Sequence, residues 1–241
     1  MTMPLQQWLF LTVIFFANTI EAMTGFAGTM LAMPASMILL GVDEAKTMLN
    51  IVSLITCTAI VLSNRQHIDK QQFFKITGFM LLGVIIGLWL FTLLNIPLLM
   101  KLYALIIIIV ALKNMFVKKN VRKLSHFAAI SILISAGIIH GMFLSGGTLL
   151  IIYAMLALRE KAVFRATLAA VWVALDSGIL INQAIQGFVT PKILLLTAAT
   201  IIPLMLAIAL GNYLHKKIQQ QHFLMLTYVL VLISGLFLFF K

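Results

Sequence analysis

The chain has 241 residues, of which 63% are apolar and only 10% charged, against roughly 25% charged in an ordinary soluble domain. Its mean hydropathy is +1.13 and its formal net charge is +11. These values exclude a soluble globular domain, a disordered chain and a secreted disulfide scaffold, and solid apolar runs without alternation exclude a transmembrane β-barrel.

Ten apolar segments follow one another: 5–22, 27–41, 46–64, 72–94, 97–117, 125–142, 146–158, 163–187, 191–214 and 222–240. A spanning helix needs about 20 residues, so these segments leave no room for a soluble domain. The expected fold is all-α and polytopic, with eight to ten helical membrane segments forming one integral membrane domain. Pro97 and Pro191 fall in first helical turns, where a missing N–H costs nothing. Gly41 and Gly187 fall at helix ends, where a left-handed residue is favoured. Met1 to Gln7 carries no Lys or Arg, which argues against a cleavable leader. The one cysteine, Cys57, lies in an apolar run, so no intrachain disulfide or CxxC site can form.

Charge sets the expected topology. Of 17 basic residues, 13 lie in or beside the loops after the third, fifth, seventh and ninth segments, among them Arg65, Lys118, Arg159, Arg165 and Lys216. The opposite side has Lys46, Lys101, Lys192 and Lys241, next to Asp43 and Glu44. By the positive-inside rule the basic loops are cytoplasmic and both termini outside, in the cytoplasmic membrane. The excess positive charge is thus topological, and no nucleic-acid partner is expected.

Two stretches resemble each other at an offset of 119 residues, Glu21 to Leu31 and His140 to Leu150. Lys46 then meets Arg165. The segment pattern repeats as well: two short, three longer, twice. This divides the chain into 1–120 and 121–241. Five segments per half is odd, so the second half is inserted upside down relative to the first. Inverted-topology repeats are common among secondary transporters, and short or Gly-interrupted segments at matching positions point to their binding sites. Here these are the first two segments of each half, interrupted at Thr24 to Thr29 and Leu144 to Thr148. They are expected to be short or re-entrant, with glycine-containing tips deep in the protein. Ten full crossings, with glycines serving only close packing, is the alternative.

Helix N-termini present unpaired N–H groups and partial positive charge. Two such termini at the tips would make an anion site without Lys or Arg. Gly25, Gly28, Gly146 and Gly147 would let an anion approach the backbone, and Thr29, Ser145 and Thr148 would add hydroxyl donors. The expected partners are therefore a small anionic substrate, the lipid bilayer and protons.

The stretch Gly25-Phe-Ala-Gly28-Thr-Met-Leu-Ala-Met-Pro34 resembles the N-terminal motif of the sulfite exporter TauE/SafE family, and Leu144-Ser-Gly-Gly-Thr148 resembles its second copy. Arg165, Thr167, Gly187, Pro203, Gly211 and Gly235 fall where that family tends to have such residues. Ala27 and Tyr153 depart from the pattern. The resemblance spans essentially the whole chain. It implies a multipass transporter of small organic or sulfur-containing anions, mostly exporting.

Six acids exist. Asp43, Glu44, Asp69 and Glu160 fall in expected loops. Glu21 and Asp176 lie within apolar segments, where an acid points to function by default. His140 holds in the second half the place of Glu21 in the first, so the two are candidates for proton exchange; bracing the hairpins is the alternative. Arg165 and Lys46 are candidate anion guides at opposite mouths; interfacial snorkelling is the alternative, and the favoured one for Lys46. Asn50 and Asn182 either line a pathway or bond between helices. Trp8, Trp89, Tyr103 and Tyr213 read as interface anchors, and Trp172 as packing. No metal-ligand spacing and no Walker sequence is present, so no cofactor is expected. A secondary carrier is the leading reading. An uncoupled anion channel or uniporter shares the site chemistry, and an intramembrane enzyme would have to be built on His140 and Asp176.

Overall fold

The computed structural model describes residues 5–116, 124–217 and 220–240. Among them are ten α-helices, one short 3-10 turn and no strand. The helices are α1 (Leu5–Thr24), α2 (Gly28–Leu40), α3 (Val42–Asn64), α4 (Lys70–Leu93), α5 (Ile96–Phe116), α6 (His126–Phe143), α7 (Gly147–Ala157), α8 (Lys161–Ile185), α9 (Pro191–Lys217) and α10 (Gln220–Phe239). The chain is an all-α polytopic membrane protein. By length and composition, the helical stretches Val42–His67, Lys70–Leu93, His126–Phe143, Lys161–Ile185 and Pro191–Lys217 are each long and apolar enough to cross a bilayer. The expected basic loop at Lys118, Lys119, Arg122 and Lys123, and also Lys241, lie outside the described residues.

Each expected segment becomes a helix, and the boundaries move for local reasons. Helix α3 starts four residues before the expected 46 because Asp43 and Glu44 occupy its first turn, where carboxylates suit the helix dipole. They are helical, not loop, residues. Asp69 caps α4 by accepting a hydrogen bond from the Gln72 N–H at 2.9 Å, and Ser125 caps α6 at the Ala128 N–H. His215, Lys216 and Lys217 form the last turn of α9, where cations are favourable, so that helix runs beyond the expected 214. Gly41 and Gly187 have φ of +89° and +78°, as helix ends require.

Polar side chains in the apolar helices are mostly folded back onto their own backbone. Thr12, Asn18, Thr19 and Thr24 of α1 each donate to the carbonyl four residues earlier, at 2.8–2.9 Å. A hydroxyl or amide satisfied in this way can lie in hydrocarbon at little cost. Pro34 inside α2 has no N–H for the Met30 carbonyl, since proline removes that donor. The Tyr103 hydroxyl donates to this freed oxygen at 3.3 Å. Tyr103 is therefore not an interface anchor: it is fully buried and stacks on Phe143 with ring centroids 4.6 Å apart. Trp8, Trp89 and Tyr213 are exposed, as anchors should be.

Helices α3 and α8 pack on each other in the middle, each with 61% of its apolar window buried, against 28% for α4 and 33% for α9. Around them α4 packs on α6, α1 on α9, and α5 on α10. The α4–α6 contact is backbone to backbone. Gly83 and Gly87 of α4 face Gly137 and Gly141 of α6, and a Cβ on any of the four would come within 2.1–2.5 Å of a carbonyl oxygen of the other helix. Two small-xxx-small faces meeting in this way is a standard solution for close membrane-helix packing. On the α1–α9 side Gly211 performs the same service against Thr19 and Ala22. The outward faces of α4 and α9 carry exposed Leu82, Ile85, Leu195, Ile202 and Met205, a surface suited to lipid.

Candidate functional site

Two tight turns separate α1 from α2 and α6 from α7. Each passes through one left-handed residue, Gly25 with φ +85° and Leu144 with φ +53°, which are 119 positions apart. Both turns are buried, and they touch. The Thr29 hydroxyl donates to the Leu144 carbonyl at 2.6 Å, and Gly147 lies against Phe26, whose carbonyl would be 3.0 Å from an added Cβ. The Ser145 Oγ sits 2.8 Å from the Tyr103 hydroxyl.

The glycines of the turns are covered in this conformation. A Cβ on Gly28 would lie 2.2 Å from the Glu21 Oε2, and one on Gly146 would meet the Ala136 carbonyl and the His140 Cβ. Gly25 has no spare room beside the Arg165 backbone. The Thr148 side chain lies outside the described residues. The conformation is thus closed at the tips, with the Thr29 and Ser145 hydroxyls engaged by the protein itself.

Beside the tips, four helices contribute one polar chain. Glu21 of α1 accepts from the Ser53 hydroxyl of α3 at 3.0 Å. The same Ser53 Oγ is 3.1 Å from the Asp176 Oδ2 of α8, and the Asp176 Oδ1 is 2.7 Å from the Nε2 of His140 on α6. All four residues are buried, none more than 2% exposed. A serine hydroxyl owns one proton. It donates to one carboxyl group at a time or shares its hydrogen between the two, and so ties Glu21 to Asp176.

The surroundings hold this chain in place. The Cys57 thiol reaches the Glu21 Oε1 at 3.5 Å. The His140 ring lies along Trp172, with centroids 4.7 Å apart, and the Trp172 indole N–H donates to the Gly25 carbonyl at 2.8 Å. The buried His140 Nδ1 has no hydrogen-bond partner. Asn50 donates to the Asp176 carbonyl at 3.2 Å and to the Gln183 Oε1 at 2.9 Å. The order Ser53–Asp176–His140 differs from a hydrolase triad, in which the imidazole stands between hydroxyl and carboxylate. Among the described residues no three or more His, Cys, Asp or Glu converge in metal-ligating geometry.

Of the residues expected from sequence, Glu21, His140, Asp176 and Asn50 come together. Arg165 does not join them. It lies beside Gly25, is 4% exposed, and bonds Asn212 of α9. Lys161 bonds the His215 carbonyl next to it, and His215 in turn reaches the Met23 carbonyl at 2.8 Å. Asn182 is half-buried and lines a cleft with Lys46 and Gln183. Lys46 does not snorkel: it is 5% exposed, donates to the Gly141 carbonyl at 2.7 Å and lies over the Phe91 ring. Ser53, Cys57 and the bridging role of Trp172 were not expected. Their signal was available in the offset, because Ser53 and Cys57 stand 119 positions before Trp172 and Asp176.

A buried polar chain among tightly packed apolar helices, next to two touching turns, fits a membrane transporter. The chain belongs to the Sulfite exporter TauE/SafE family, whose sequence model matches residues 10–238. That is a family of membrane transporters, not of enzymes. No curated protein and no solved structure matches the chain.

Proposed function

We propose that the protein is a proton-coupled secondary carrier of small anions such as sulfite, sulfonates or organic acids. It works by alternating access in the cytoplasmic membrane, as an exporter. The observation that carries this reading is the Ser53 hydroxyl held between Glu21 and Asp176. The bridge joins α1, α3 and α8, and in this reading it holds one proton shared between the two acids. Deprotonation leaves two carboxylates facing each other across one hydroxyl and drives them apart. A proton arriving from one side and leaving to the other therefore switches the bridge between closed and open. His140, hydrogen-bonded through Nε2 to Asp176, is the exchange partner for that proton in this reading.

Two inverted halves, 1–120 and 121–241, underlie the cycle in this reading. Exchange of partners between the halves supports it: α1 packs on α9 as α6 packs on α4, and α3 and α8 pack on each other. The left-handed turn residues Gly25 and Leu144 and the buried cations Lys46 and Arg165 recur at the same offset. The substrate binds where the α2 and α7 N-termini meet, at Gly25, Gly28, Thr29, Ser145, Gly146, Gly147 and Thr148, once the tips part. Arg165 guides it at the cytoplasmic mouth, and both chain termini lie outside.

The test is flux of labelled sulfite in proteoliposomes under an imposed proton gradient. Sulfite is expected to accumulate with the gradient, and Asp176→Asn and Glu21→Gln are expected to abolish that accumulation. Flux that ignores the gradient in wild-type protein would make it an uncoupled channel or uniporter and leave the acids structural.

A further inference from the structure

The face opposite Arg165 carries a cleft between the first turns of α3 and the last turns of α4 and α8. Lys46, Thr47, Phe91, Asn182 and Gln183 line it, with Asp43 also on its wall. Three features of this cleft are not explained by packing. Lys46 is buried, yet no carboxylate lies within 4 Å of its ammonium among the described residues. Asp43 acts on it electrostatically only from beyond that distance, and a buried amine with no close counter-ion is costly to keep charged. One of its three protons is used on the Gly141 carbonyl and the ammonium also lies over the Phe91 ring, leaving at most two donors. Thr47 is 1% exposed, and its Oγ1 has no hydrogen-bond partner, which is rare for a buried hydroxyl. Gln183 also lines the cleft and adds an amide group whose Oε1 is held by Asn50.

An ammonium, a hydroxyl and an amide NH₂ are all donors, and together they match a small oxyanion with two or three acceptor oxygens. Asp43 is more exposed than Lys46 and Thr47 and lies beyond 4 Å of the Lys46 nitrogen, on which it acts at longer range. We infer that this cleft is a second anion-binding subsite, a mouth station built on Lys46, Thr47 and Gln183 and separate from the tips. It rests on the anion-carrier reading above and deepens it.

The station is wired to the polar chain in two ways. Lys46 holds the carbonyl next to His140. Gln183 holds Asn50, which holds the Asp176 backbone. An anion that draws Lys46 and Gln183 toward itself loosens both attachments, so arrival of substrate at this mouth bears directly on the proton-holding bridge. Arg165 stands 119 positions later, at the other mouth, and its buried Nε is likewise unpartnered.

The experiment is equilibrium dialysis of the purified full-length protein with labelled sulfite and, separately, labelled acetate, followed by flux from each side of proteoliposomes. Losing a charge-assisted bond in Lys46→Gln is expected to weaken binding about 10- to 100-fold. Thr47→Val is expected to weaken it about fivefold, and Lys46→Arg should retain most of it. The KM for flux from the cleft side should rise in parallel, with the KM from the other side unchanged. Lys192→Ala, which breaks an exposed ion pair with Glu44, controls for surface charge. If Lys46→Gln does not fold, Thr47→Val decides. An unchanged Kd in these variants, or no saturable binding of either anion by wild-type protein at millimolar concentration, would overturn the subsite. Wild-type binding that is lost in Lys46→Gln, but without any flux, would sink the carrier reading and leave the subsite standing.

Discussion

Replacing Gly137 by alanine tests the core of the packing. A Cβ there would lie 2.1 Å from the Met80 carbonyl oxygen, whereas ordinary contact begins at 3.4 Å. The neighbour is backbone, so no side chain can swing aside. Helices α4 and α6 must therefore part locally by about 1.3 Å, the difference between those two distances. Overpacking of this kind costs about 1–3 kcal/mol and sometimes more, and parting the helices also forfeits dispersion contacts at Gly83, Gly87 and Gly141. The better helix propensity of alanine returns at most about 1 kcal/mol. The net expectation is a loss of about 2–3 kcal/mol, or roughly 5–10 °C in apparent melting temperature. Heating the detergent-solubilised protein and following its monodisperse elution measures this. Gly78→Ala is the control, since nothing lies within 4 Å of its Cβ position; it should match or slightly exceed wild type. If Gly137→Ala melts together with Gly78→Ala, the α4–α6 backbone contact is wrong.

Other substitutions probe the site. Thr29→Val removes the hydrogen bond that joins the tips; a stability loss of about 1 kcal/mol should accompany a larger fall in sulfite flux, and thermal stability and flux measured on the same preparation compare the two. Trp172→Phe keeps a ring against His140 but deletes the bond to Gly25, leaving a buried carbonyl unpaired; about 1–2 kcal/mol of thermal stability should be lost. Lys192→Ala deletes an ion pair whose side chains are 64% and 36% exposed, so stability should change by less than about 1 kcal/mol and flux should be unaltered.

Helix positions were legible because hydropathy runs and their interruptions are local. Gly41, Gly187 and Pro191 mark ends that any ten-segment reading finds. The convergence of Glu21, His140 and Asp176 was half legible: each is conspicuous as a polar residue in an apolar run, and the offset pairs the first two. What joins them was not. Ser53 is one of several small hydroxyl residues in α3, and only the packing of α3 on α8 selects it. Tyr103 misled for a related reason. A tyrosine near a segment start usually sits at the bilayer interface, but Pro34, about 70 positions earlier, frees a carbonyl that only a buried hydroxyl can reach. Lys46 misled because snorkelling depends on which way the stem points, and Phe91 and Gly141 of other helices decide that. The facing Gly83/Gly87 and Gly137/Gly141 pairs were readable as spacings within each helix; that they face each other was not.

The packing of α1 on α9 also has a consequence for how the protein is made. Helix α1 is made before the other nine described helices, carrying Asn18, Thr19 and Glu21, and its main partner starts only at Pro191. Through most of synthesis, then, the Thr19 and Ala22 side of α1 lacks the surface that Gly211 of α9 will place against it, whereas Glu21 meets Ser53 and Cys57 once α3 is made. A nascent chain stalled before Pro191 would leave that side of α1 open to lipid or to quality-control proteases, and completion of α9 is the step that covers it.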